Sequence, residues 1–159
     1  MRNVSVMLLA TIAAVLGLDL SAKLYPTENP LRDRGHVALL ERLRARVHRS
    51  FTWRSEVPMG PAGDMRAWDA KLGGAGVRIG VEAETRLLDA QTVARRIALK
   101  RRDGDVDHVL LVVADTRANA LALRAFGDLL AADFPIAGMR ALDALEHGRD
   151  PGGSAVIVI

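Results

Sequence analysis

The residues whose types and spacing suit chemistry are carboxylates on neighbouring short segments: Glu56 in "FTWRSEVP", Asp69 in "RAWDAKL", and Glu82 and Glu84 in "VRIGVEAE". An extended segment alternates its side chains. Val77, Ile79, Val81 and Ala83 therefore take one face, and Arg78, Gly80, Glu82 and Glu84 take the other. Two like charges so close repel unless water, a base or a cation relieves them. Asp69 shares its face with Ala67 and Lys71, with Trp68, Ala70 and Leu72 opposite. The Gly-rich link "GGAG" folds the third segment back on the second as a hairpin, and a suitable register brings Asp69 across from Glu82. Glu56 joins from the adjoining strand. Asp69, Glu82 and Glu56 together would suit a hard divalent cation, Mg²⁺ or Mn²⁺. The matching chemistry is attack of metal-activated water on a phosphodiester. The competing reading is a sheet face that is merely polar and wet, and spacing alone does not choose between the two.

The elements that must position these residues follow from periodicity. Residues 4–16 read as a helix with Val4, Leu8, Ile12 and Val15 or Leu16 on one stripe and Gly17 as its C-cap. Residues 18–24 alternate as a strand, and Pro26 and Pro30 bracket a turn. Residues 32–48 form an amphipathic helix with Val37, Leu40, Leu43 and Val47 as its apolar stripe. Strands 51–58, 66–72 and 77–84 follow, then a helix over 86–102 with a basic C-terminal half. "HVLLVVAD" (108–115) is a continuous apolar strand, buried on both faces. Helices at 117–134 and 139–148 and a strand at 154–159 complete the chain. The expected fold is α/β, a mixed central sheet flanked by helices, with an N-terminal helix. Two parts are expected: 1–30, helix and strand, and 31–159, the α/β domain.

Composition removes several classes. The chain has 159 residues and no cysteine, so disulfides, thiolate zinc sites and cysteine nucleophiles are excluded, which suits a cytoplasmic location. The net charge is +3, and lysine occurs only at 23, 71 and 100. That balance permits phosphate binding without demanding it. The apolar run Val4–Leu18 is too short to span a bilayer, and no membrane partner is expected. A cleaved secretory signal is the alternative to a retained helix there. "GGAG" is a hairpin turn rather than a dinucleotide fingerprint, and "GRDPGGSA" lacks the Lys of a phosphate-binding loop. "DGDVDH" begins like a calcium loop, but His108 stands where the Gly is needed. His36, His48, His108 and His147 show no ligand pairing and read as surface or boundary residues.

Asp69, then "VEAET" (81–85), then a helix containing Gln91 resembles the PD-(D/E)XK, or restriction-endonuclease-like, nuclease fold. The order helix, three-strand meander, helix, strand matches its core. The pattern is similar to nuclease-like domains that follow an Xre-type helix-turn-helix in bacterial regulators: Glu56-Val57, Asp69, "EAET" (82–85) and "DAQ" (89–91) stand at its motif positions. The likeness covers about residues 36–134, with edges that drift by a few positions. The run "VSVMLLATIAAVLGLDL" (4–20) is similar to the last helix of an Xre domain, which makes 1–30 the remnant of a helix-turn-helix whose recognition helix would lie upstream.

The resemblance implies a nucleic-acid-binding module of a transcriptional regulator, with Asp69, Glu82, Glu84, Gln91 and a lysine at its reacting centre. Where the family carries that lysine, this chain has Glu84. Either a cation from elsewhere substitutes, with Lys100 on the following helix as the candidate, or catalysis is lost. The basic helix "ARRIALKRR" favours DNA as partner through Arg95, Arg96, Arg101 and Arg102, and the expected behaviour is weak, salt-sensitive binding with little cleavage. The alternatives are an inactive module that forms a homodimer or senses a small ligand, and a metal-dependent hydrolase of another substrate.

Overall fold

The computed structural model describes residues 5–18, 30–59, 64 and 66–159. The chain divides into two units, 1–30 and 31–159. In the first, helix α1 (Val6–Val15) starts at Ser5, whose hydroxyl accepts from the Leu8 N–H. Its apolar side chains surround the axis rather than forming the expected stripe: Val6, Met7, Leu8, Leu9, Ile12 and Val15 are all exposed. The predicted strand at 18–24 lies outside the described residues from position 19 onward. Among the described residues no helix is long and apolar enough to cross a membrane.

The second unit is an α/β fold. Its elements are α2 (Pro30–Arg44), β1 (Thr52–Pro58), β2 (Ala67–Gly74), β3 (Val77–Glu84), α3 (Ala90–Asp103), β4 (His108–Val113), α4 (Arg117–Ala125), α5 (Gly127–Ala131), α6 (Gly138–Glu146) and β5 (Ala155–Val158). Pro30, expected in a turn, instead opens α2, where its missing N–H and fixed φ cost nothing. The five strands lie in the order β1-β2-β3-β4-β5. The first three are antiparallel; β4 runs parallel to β3, and β5 parallel to β4. The β2–β3 link is shorter than its Gly run suggests, because Gly73 and Gly74 stay in the ladder. Ala75 and Gly76, at φ 51° and 78°, make a two-residue turn whose twist matches the flanking strands.

Helices cover both faces of the sheet. On one, Leu39 and Leu43 of α2 and Ala141, Leu142 and Leu145 of α6 pack on Ala70, Leu72, Ile79, Val81, Leu110 and Val112. On the other, Val93, Ala94 and Ile97 of α3 and Leu130 of α5 pack on Trp68, Val109, Leu111 and Val113. The unbroken apolar run of β4 is thus divided residue by residue between two cores. The α2 stripe is displaced from the expected one: Leu39 and Leu43 are buried, Leu40 and Val47 are half-buried, and Val37 is exposed. The single helix predicted at 117–134 breaks at Phe126, which ends α4 and precedes Gly127, a poor helix former, before the chain turns Leu130 and Phe134 inward.

Candidate active site

The site begins where two strands part. β2 and β3 stay in register from Gly74↔Val77 to Ala70↔Val81, and the ladder stops there. Beyond it a side chain replaces the backbone acceptor: Asp69 Oδ2 accepts from the Ala83 N–H at 2.8 Å. His36 of α2 brings its Nε2 to the same oxygen at 3.1 Å. Gly35 lets α2 approach this closely, since a Cβ there would stand 3.2 Å from Thr85 Cγ2. The strand alternation breaks at the same point. Ala70 and Leu72 enter the α2–α6 core, but Trp68, expected beside them, enters the α3 core. Its indole lies flat on Gly80, where any Cβ would come within 2.8 Å of the ring. Asp69 therefore occupies the seam between β2 and β3 rather than a regular strand face.

Glu82 and Glu84 project toward α3. Asp89 caps that helix, its Oδ1 accepting from the Thr92 N–H at 3.0 Å, and so sets the phase of its buried stripe. The stripe runs Val93, Ala94, Ile97 and then Lys100, so a lysine stands where an apolar residue is due. Lys100 Nζ donates to Glu82 Oε1 at 2.6 Å and to the Ala67 carbonyl at 2.7 Å. It also lies 5.7 Å from the centre of the Trp68 ring. Both members of the pair are buried, Glu82 at 1 % and Lys100 at 7 % exposure. One turn earlier, Arg96 donates from Nη2 to Glu84 Oε1 at 2.5 Å, and its Nε stands 3.6 Å from Glu82 Oε2.

The charges shift one another. Burial raises the Glu82 carboxyl, the Asp69 charge adds to this, and the attraction of Lys100 and Arg96 only partly offsets both, leaving it pushed up to about 7. Burial also opposes ionisation of Asp69. The His36 bond, the Ala83 N–H and the Lys100 charge outweigh it and hold Asp69 below its ordinary value. His36 is raised by its bond to Asp69, against the effect of its own burial, with Glu84 and Glu82 adding to the rise. Three carboxylates thus face Lys100, Arg96 and His36, and the cluster carries its own counter-charges.

The other expected members stand outside these bonds. Glu56 is exposed, at φ 50°, at the β1–β2 register position opposite Asp69, between the Ser55↔Ala70 and Val57↔Trp68 pairs. Gln91 is exposed on the first turn of α3. Arg96 turns to Glu84 rather than outward, and Arg102 is held by Asp103 at 2.7 Å. Arg95 and Arg101 remain exposed and unbonded among the described residues. The "DGDVDH" turn holds Arg78 through Asp105 and Asp107. Among the described residues no three His, Asp or Glu side chains form a ready cage for a metal ion. Mg²⁺, however, is commonly held by one or two carboxylates plus water and substrate phosphate. Asp69 and Glu82 fit that smaller requirement, and their mutual repulsion is what a cation would relieve.

Two residues were missed in sequence. His36 has no signal beyond its type. Asn119, 1 % exposed, accepts from the Leu87 N–H at 2.9 Å and donates to the carbonyls of Thr85 at 3.1 Å and Ala114 at 2.8 Å. It pins the loop after Glu84 to the end of β4. Compared with protein-family models, with characterised proteins and with solved structures, the chain matches none of them.

Proposed function

We propose that this chain is a nuclease-fold, nucleic-acid-binding module of a bacterial DNA-binding regulator, with Asp69, Glu82 and Lys100 as its phosphodiester-reacting centre. The observation that carries the reading is the 2.6 Å contact between Lys100 Nζ and Glu82 Oε1. A centre of this type needs positive charge beside its carboxylates, and Glu84 cannot give it. Lys100 gives it from α3 instead. The regulator context rests on the likeness of residues 4–20 to the closing helix of an Xre domain. Mg²⁺ or Mn²⁺ held by Asp69 and Glu82 would supply a Lewis acid and an acidified water. Asp69 is fixed for that role by the Ala83 N–H and His36. Lys100 holds its Nζ at the pair, where it would steady charge on a phosphate oxygen. Arg95 and Arg101 remain free to meet backbone phosphates.

The test is incubation of the pure protein with supercoiled plasmid and Mg²⁺ or Mn²⁺. Glu84 alone implies little cleavage; because Lys100 reaches Glu82, nicking is expected from the native chain and is expected to vanish in Asp69→Ala and Lys100→Met. DNA binding without nicking would reduce the reading to an inactive binding module. Neither binding nor nicking would move it to a dimerising or ligand-sensing module, a reading that the cluster's internal charge balance favours.

A further inference from the structure

Arg96 is unlike the other cations of the cluster. The Glu82 carboxylate already has Lys100 at 2.6 Å, and the Arg96 Nε stands off from it at 3.6 Å. The one close bond of Arg96 goes to Glu84, at 2.5 Å. Its side chain is 42 % exposed, against 9 % for Lys100, so solvent reaches the guanidinium from outside the cluster. A guanidinium has five N–H donors in a planar fork, and among the described residues Nη1 of Arg96 has no partner. That fork fits a carboxylate and a phosphate equally well. Glu84 therefore occupies the place that an incoming phosphate would take.

We propose that Arg96 is the phosphate clamp of this site and Glu84 its internal competitor, a carboxylate that a backbone phosphate of the substrate displaces; the inference rests on the nucleic-acid reading above. Once displaced, Glu84 remains beside the arriving phosphate and repels it. The pair sets a threshold: a ligand must bring an anion able to win the guanidinium. Neutral ligands gain nothing from Arg96, and a phosphodiester backbone gains a bidentate contact directly beside Lys100 and Glu82.

The experiment is fluorescence anisotropy with a labelled 20-base-pair duplex of mixed sequence, in EDTA, over a series of salt concentrations. It compares the native chain with Glu84→Gln, Arg96→Gln, Arg96→Lys and the double variant Glu84→Gln/Arg96→Gln. Urea unfolding of each variant confirms that it is folded. Removing one competing carboxylate from a charge-assisted bond should tighten binding about tenfold. The freed guanidinium should steepen the log–log salt dependence by about one phosphate's worth, near 0.9. Arg96→Gln should erase the gain in the double variant. Arg96→Lys should bind more weakly than the native chain although the charge is kept, because the fork is lost. A native chain that binds the duplex while Glu84→Gln leaves affinity and slope unchanged would overturn the clamp and leave the nucleic-acid reading standing. A gain in Glu84→Gln that persists in the double variant would show general charge repulsion and also overturn the clamp. No binding by any form would overturn both.

Discussion

Glu82 and His36 titrate in the same sense, and together they fix how the fold responds to pH. Glu82 has its carboxyl pushed up to about 7 from an ordinary 4.5, chiefly by burial. A raised carboxyl means that ionisation costs the folded state more than the unfolded one. Stability is greatest below the unfolded value and falls as pH rises through the folded one. His36, also raised, contributes stability that is present below its ordinary 6.5 and is lost as pH climbs through its folded value. Asp69, held low, contributes above its ordinary 3.8 and loses that only in stronger acid. In EDTA, the urea midpoint is therefore expected to fall between about pH 5 and about pH 8, and to fall less steeply in Glu82→Gln. A midpoint that rises over this interval in the native chain would contradict the arrangement. The residue types here were legible: Asp69, Glu82 and Lys100 stand out in the sequence. The direction of Arg96 was not, because a basic helix end looks the same whether its arginines face solvent or reach back to a carboxylate. Nor was the role of His36, since no spacing rule links position 36 to position 69.

Among the elements, the loop between β3 and α3 depends on one side chain from elsewhere. Asn119 satisfies the Leu87 N–H and the Thr85 and Ala114 carbonyls while almost wholly buried. Asn119→Ala strands all three groups, and a single uncompensated buried polar group costs about 1–3 kcal/mol. A loss of at least about 3 kcal/mol is expected, against about 1 kcal/mol for Thr116→Ala, which removes only the cap of α4. Urea unfolding of the two variants decides it, and equal losses would show that water takes over the bonds of Asn119. At this scale the sequence spoke clearly where period and burial agree: β3 falls at 77–84, and β4 reads as doubly buried because both its faces are apolar. It misled where tertiary contact shifts the phase. The α2 stripe centres on Leu39 and Leu43 because the sheet, not the helix alone, selects the buried arc. Trp68 leaves its expected face because Gly80 offers a flat seat.

Taken as one molecule, the chain offers DNA fewer free cations than its composition suggests. The basic end of α3 is half consumed: Arg96 serves Glu84, and Arg102 serves Asp103. If Arg95 and Arg101 make the phosphate contacts, the native chain should bind duplex with a log–log salt slope near −2, and Arg95→Ala with Arg101→Ala should flatten it. Arg96 adds no net charge while Glu84 stays beside it, even after a phosphate has taken its fork; a slope of about −5, as five independent contacts would give, would mean that the α3 cations act free of their carboxylates. Connectivity has its own consequence at this scale, one of order in time. The β2–β3 turn has two residues, Ala75 and Gly76, whereas β4 reaches β3 only through the crossover that contains α3. Contacts close along the chain form before distant ones. Asp69 and Glu82 are thus brought together by the hairpin, and Lys100 arrives later with the crossover. A hairpin without its crossover would hold two carboxylates without their cation, tolerable only while that face stays wet, so the pairing of β4 with β3 and the drying of the site are coupled.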